Sequence, residues 1–256
     1  MKYIFLTLVM VLELMAGIVK APVMSIDYDE NIATIKILKV DIGMSGFIVH
    51  ALTPQHGSIL KNVVVKSYDK ASGIATLRMS DYTGLVNNAL PSGNWKAVEG
   101  DEVVLAFGYS RALLIAPSEE IYYRISKSVR IQWLHPDLFA TILSFNGHPT
   151  PLKEDFVKMS DATSVGLVFI YLNQKVFTVD AQSFQILSIS DADLTQDGVK
   201  LPFYSRVDEI DAAWFGEGND PLESYEPYYY ELLLENNPNN EKLKLLKQEF
   251  ESGEKK

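Results

Sequence analysis

The chain has 256 residues, 47% of them hydrophobic, enough to bury the core of one large domain or two small ones, and its net charge is −10. The charge is uneven: residues 1–206 hold 20 acidic and 18 basic side chains, whereas residues 207–256 hold 13 and 5. An acidic tail repels phosphate backbones and argues against nucleic-acid binding. The absence of cysteine removes disulfides, thiol chemistry and the residue that a bacterial lipoprotein anchor requires.

Lys2 followed by the uncharged apolar run 4–12 predicts a signal peptide over residues 1–21. Val19-Lys20-Ala21 supplies the cut site and Leu14-Met15-Ala16 the alternative, since Pro22 directly after Ala21 is unfavourable. Glu13 ends the run well short of the roughly 20 residues that span a bilayer, and no later apolar run approaches that length. No membrane-spanning segment is therefore expected after signal cleavage. The expected destination is the periplasm or the cell surface, associated with the outer membrane.

Residues 22–117 read as a β-rich lobe, a small barrel or sandwich. Runs 35–40, 46–49, 63–68, 74–79 and 103–107 are rich in β-branched and aromatic residues and are separated by glycine turns. Segments 63–68 and 74–79 flank a five-residue hairpin loop ending in Gly73.

From 118 to 215 the period changes to a mixed α/β lobe. Ser118 predicts an N-cap with Glu119 and Glu120 at the positive end of a helix running to Lys127. Two further helices are expected over 136–145, closed by Gly147, and over 151–161. Strands are expected over 165–172, 176–180 and 184–189. In the block 201–211, Phe203, Tyr204 and Ile210 are expected to pack the end of the body, with Arg206 paired to Asp208 or Asp211. The whole is of the α+β class.

Residues 216–256 form an acidic helical tail. Segment 223–235 carries Tyr225, Tyr228, Tyr229 and Tyr230 and predicts a docking helix. Leu243, Leu246 and Phe250 fall at i, i+3 and i+7, one face of a last short helix.

Catalytic equipment is not visible. None of His50, His56, His135 and His148 has a second ligand at helical metal spacing, so no metal site is expected. Gly108-Tyr109-Ser110-Arg111-Ala112 has the outline of a nucleophile elbow, but a strand, not a helix, is expected to follow. Asp191 to Gly198 starts like a calcium loop, yet Gly falls at position 8 and Pro202 stands at position 12. No cofactor is implied, and the chain reads as a non-enzyme.

Several blocks carry a resemblance. They are Gly46-Phe47-Ile48-Val49, the hairpin 63–78 with Gly73-Ile74-Ala75-Thr76, Gly100-Asp101-Glu102-Val103, and Leu114-Ile115-Ala116-Pro117 before an acidic helix start. Ser164-Val165-Gly166-Leu167-Val168-Phe169-Ile170, Ser183-Phe184-Gln185-Ile186-Leu187, and Pro202-Phe203-Tyr204-Ser205-Arg206-Val207 with Ile210-Asp211 follow in order. Together they resemble the N-terminal domain of the epsilonproteobacterial, Pgb-type plasminogen-binding surface proteins. The resemblance implies a secreted or surface protein that captures host plasminogen in a lysine-dependent way. Lys256, with Lys255 as neighbour, is the position it carries over. A terminal lysine offers an ammonium and an α-carboxylate on one residue, the dipolar ligand a kringle pocket takes. Longer family members continue into a Lys/Glu-rich helical segment, whereas residues 216–256 here are net acidic. The alternative is a periplasmic scaffold docking onto an envelope assembly, with the Tyr-rich helix as its contact.

Overall fold

A computed structural model describes residues 17–82, 95–195 and 198–254. The first six strands are β1 (Val19–Asp27), β2 (Ile32–Lys36), β3 (Ser45–Thr53), β4 (His56–Asp69), β5 (Ile74–Asp81) and β6 (Glu102–Leu105). They close into a barrel of order β1-β2-β5-β4-β3-β6 in which every neighbour is antiparallel. Alternation drives the closure: Ala33 and Ile35, Val63 and Val65, and Ala75, Leu77 and Met79 point inward from successive positions two apart. Closing the sheet removes its free edges.

The seam of the barrel is the β1–β6 pair, Val19 opposite Leu105 through Pro22 opposite Glu102. The expected signal peptide lies mostly outside the described residues, but Val19, Lys20 and Ala21 are strand residues of this seam. Cleavage after Ala21 would take them away; cleavage after Ala16 would leave the seam whole. At the β4–β5 hairpin Gly73 adopts φ +71°, and the Asp69 carboxylate accepts from the Ala71 and Ser72 amides at 3.0 and 3.3 Å.

The second half comprises β7 (Arg111–Ile115), α1 (Glu119–Ser128), β8 (Gln132–Leu134), α2 (Pro136–Asn146), α3 (Lys153–Thr163), β9 (Leu167–Leu172), β10 (Lys175–Asp180), β11 (Ile186–Asp191), α4 (Tyr225–Asn236) and α5 (Glu241–Glu254). Its sheet has the order β11-β10-β9-β7-β8, with β7 parallel to β8 and β9 and the other pairs antiparallel. Ser118 caps α1 as expected, its hydroxyl accepting from the Ile121 amide at 3.3 Å, a contact worth about 1 kcal/mol. Gly147 closes α2 in the left-handed conformation.

The central strands β7, β9 and β10 are buried on both faces, which explains their continuous apolar runs. Ala112, Leu114, Leu167, Phe169 and Tyr171 face the barrel and α1. The alternate residues Leu113, Ile115, Val168, Ile170 and Leu172 face a layer made by α2, α3, α4 and α5. Burying each such Leu, Ile or Phe side chain contributes about 1.5–3 kcal/mol. The architecture is thus α+β, a six-stranded barrel beside a mixed sheet covered by helices.

Two placements differ from the sequence reading. β7, grouped with the N-terminal lobe ending at 117, is instead a central strand of the second sheet. The chain leaves the barrel at Gly108, where φ is +79° and a Cβ would come within 2.6 Å of the Ser164 carbonyl oxygen. The three-residue strand β8, between two helices, was not foreseen.

Candidate functional site

The barrel and the mixed sheet are pinned together by one buried carboxylate. Asp180, at the end of β10, is fully buried. Its Oδ2 accepts from the Ser45 amide at 3.0 Å, the Ser45 hydroxyl at 2.7 Å and the Tyr109 hydroxyl at 2.7 Å. Its Oδ1 accepts from the amides of Gln182 at 3.0 Å and Ser183 at 2.7 Å. Burial, and then the Asp180 charge, push the Tyr109 hydroxyl far above its ordinary range, so it acts as a fixed donor. Ser183 adds a second tie, its hydroxyl donating to the Gly43 carbonyl at 2.6 Å.

Beside this clamp a cleft of about 340 Å³ opens between the two halves. One wall is aromatic. Phe47 of β3 meets Tyr82 edge-on at 5.7 Å between centroids and Phe107 at 5.6 Å. The opposite wall comes from the end of α3 and the turn after β10, with Ser160, Asp161 and Gln182. The Gln182 side-chain amide donates to Asp161 Oδ1 at 2.6 Å and to the Ser160 hydroxyl at 3.2 Å. Among the described lining residues Asp161 is the one charged side chain. Burial, then the charge of Asp161, raise the Tyr82 hydroxyl. None of these residues was expected from the sequence as a site residue. The available signal was Phe47, an outward-facing aromatic alternating with the inward Gly46 and Ile48.

Lys255 and Lys256, the residues expected to contact a kringle, lie outside the described residues. The helix before them, α5, docks through Leu243 and Leu246 onto the second core, while residues 251–253 are exposed. The calcium-like segment 191–198 also runs partly outside the described residues. The Gly108 turn leads into β7, the strand expected there in place of the helix that a nucleophile elbow needs.

Two histidines have carboxylate partners that local spacing could not reveal. His50 meets the buried Asp101 at 2.7 Å, and His148 meets the buried Asp155 at 2.9 Å. Asp155 also accepts from the Asn146 amide and the Leu152 backbone N–H, both at 2.8 Å, so it organises the α2–α3 corner. Among the described residues no group of three His, Cys, Asp or Glu is placed to hold a metal ion. Among those residues no helix is long and apolar enough to cross a membrane.

Arg206 pairs with Asp137, not with Asp208 or Asp211. The Asp137 carboxylate accepts from the Arg206 backbone N–H and from Nε, each at 2.7 Å. Burial raises the Asp137 carboxyl, but these Arg206 contacts outweigh it and hold the group below its usual range. Phe203 and Tyr204 are buried as expected. Phe203 stacks on Phe139 at 5.4 Å, and burial followed by Glu119 pushes the Tyr204 hydroxyl up to about 12.

The Tyr-rich helix does not present its rings outward. Tyr225, Tyr229 and Tyr230 are buried in the second core. The Tyr225 hydroxyl is shared between the Ile115 and Tyr171 carbonyls at 3.1 and 3.0 Å, and Tyr229 donates to the Pro202 carbonyl at 3.0 Å. Exposed aromatics occur elsewhere. Phe145, Trp214 and Phe215 are 91%, 98% and 86% exposed. The Ala213 amide donates to the Gly147 carbonyl at 2.9 Å, which brings Trp214 and Phe215 to the end of α2 that carries Phe145.

Comparison with known proteins gives a consistent result. A family model described as plasminogen-binding protein pgbA N-terminal matches residues 18–233. Two curated relatives, the plasminogen-binding proteins PgbA of Helicobacter pylori strains J99 and 26695, are each 28% identical over 214 residues. The alignments cover 81% of this chain and 46% of each relative, so the chain spans less than half the length of the curated relatives it matches. No solved structure matches.

Proposed function

This chain belongs to the family defined by the N-terminal domain of plasminogen-binding protein PgbA, and from that membership we propose that it is an exported, non-enzymatic protein that binds host plasminogen. The observation that carries this reading is the family match over residues 18–233, which runs from β1 into α4. The relatives are named for binding, which supports a role without catalysis. The contact is lysine-dependent: Lys256, with Lys255 beside it, enters the lysine pocket of a kringle, where acids meet the ammonium and aromatic rings flank the stem. Residues 251–253 before them are exposed, and the folded body acts as the carrier.

Removing Lys255 and Lys256 is expected to weaken binding to immobilised plasminogen at least about tenfold, a change of about 1.4 kcal/mol. A lysine analogue such as 6-aminohexanoic acid should compete to the same degree. Unchanged affinity after the deletion would overturn the role of Lys256. No binding by the intact chain would overturn the whole reading.

The exposed aromatics favour a second reading, a periplasmic scaffold that docks onto an envelope assembly. Its contact would be Phe145, Trp214 and Phe215 in place of the Tyr-rich helix. The partner face would be basic, since no Lys, Arg or His occurs from Val207 to Glu241. The same charge disfavours a second copy or an anionic lipid surface. The double variant W214A/F215A should stay folded, its stability within about 0.5 kcal/mol of the parent, and should lose salt-sensitive crosslinking to a basic envelope protein in cells. Unaltered crosslinking, or cleavage of the protein by protease added to intact cells, would count against the scaffold.

A further inference from the structure

The cleft beside the Asp180 clamp sets aromatic rings opposite a carboxylate. Its aromatic wall is Phe47, which meets Tyr82 and Phe107 edge-on. Its acidic wall is held by Gln182. Gln182 donates its backbone N–H to Asp180 and its side-chain amide to Asp161 Oδ1, so the Asp161 carboxylate is oriented without being neutralised. Asp161 is exposed and forms no ion pair among the described residues, and no lysine, arginine or histidine stands among the described lining residues. Among its described lining residues the cleft therefore sets one carboxylate and three aromatic rings around a space of about 340 Å³. Ring faces attract cations within about 6 Å of their centroids, and a carboxylate with unused acceptor sites prefers a cation that carries N–H donors.

We propose that this cleft is a binding site for a primary alkylammonium group, seated between the Phe47–Tyr82–Phe107 wall and the Asp161 carboxylate. A quaternary ammonium would satisfy the rings but bring no hydrogen-bond donor to the second carboxylate oxygen, Oδ2. A guanidinium forks onto both carboxylate oxygens, whereas Oδ1 here already accepts from Gln182. The ammonium could be the side chain of a lysine in a polypeptide or a free amine, which share this chemistry. The site goes beyond the plasminogen reading: there this chain supplies the lysine, whereas here it receives the ammonium.

The test titrates the intact chain, without plasminogen, with Nα-acetyl-lysine methylamide, with n-butylamine and with the Nε-acetylated lysine derivative, following ring signals of Phe47, Tyr82 and Phe107 by NMR. The two amines are expected to shift these signals saturably with affinity of about millimolar, and the neutral derivative at least about tenfold more weakly. Tighter binding of the lysine derivative than of butylamine assigns the site to a polypeptide lysine; equal binding assigns it to free amines. Asp161→Asn, an exposed and near-isosteric change, should keep the fold and lose about tenfold in affinity for both. Equal binding of the neutral derivative, no effect of Asp161→Asn, or no saturable shift overturns the proposal. Because plasminogen is absent, this result and the Lys256 deletion fail independently.

Discussion

Asp180→Ala is expected to lower the free energy of unfolding by about 3–5 kcal/mol, the largest loss foreseen for a single polar side chain here. The carboxylate is fully buried and satisfies five donors, three of them backbone N–H groups that cannot rotate away. Alanine would leave those donors dry and unpartnered, and each such group costs about 1–3 kcal/mol, partly relieved by water entering the gap. Asp180→Asn should fall between the parent and alanine, because its amide oxygen can serve one set of donors while its NH2 opposes the other. Tyr109→Phe removes one donor and leaves four, so its cost should be about 1.5–3 kcal/mol. Urea unfolding of the three variants checks the order. If Asp180→Ala unfolds at the parent's midpoint, the carboxylate is not the pin between barrel and sheet.

That clamp marks the boundary of what the sequence discloses. Features closed within a few residues were legible: the Ser118 cap, the left-handed Gly147, the Gly73 hairpin and the apolar runs of β9 and β10 all follow from local periodicity and backbone chemistry. Partners brought together by topology were not. Asp180 reaches Ser45 across 135 residues and Tyr109 across 71, and a polar residue at a strand end is indistinguishable from an ordinary turn residue. Arg206 has acids two and five positions along, yet its partner is Asp137 at the first turn of α2, 69 residues away. Nearest-in-sequence pairing fails there because the 201–211 segment lies along α2. β7 was misgrouped for a related reason. Its pattern shows that it is buried, but an apolar strand does not say which sheet covers it. The cleft was invisible because its rings and its carboxylate come from β3, the segment after β5, the segment after β6 and the end of α3.

Tyr229→Ala is expected to cost about 3–5 kcal/mol, comparable to other buried aromatic truncations. Four tyrosines at positions 225, 228, 229 and 230 look like an adhesive surface when read as composition. On a helix they divide: the ring of Tyr229 has no exposure and lies 4.8 Å from Tyr225 and 5.3 Å from Tyr228, while Tyr228 sits at the edge. Tyr229 also donates to the Pro202 carbonyl, tying α4 to the segment that carries Phe203 and Arg206. Tyr229→Phe keeps the ring and loses that bond, so about 0.5–1.5 kcal/mol should go. Tyr228→Ala should cost less than Tyr229→Ala, since part of its ring already meets water. These values separate two roles for α4 in one thermal or urea series. A helix that served as a partner contact would lose binding and keep its stability when Tyr229 is cut back. A helix that completes the core loses stability first, and any effect on binding follows from unfolding. Equal stability of Tyr229→Ala and the parent would return α4 to the surface. The expected loss instead makes it the lid of the second core, and leaves the proposed contacts to the cleft, to the aromatics at the end of α2 and to the lysines after α5.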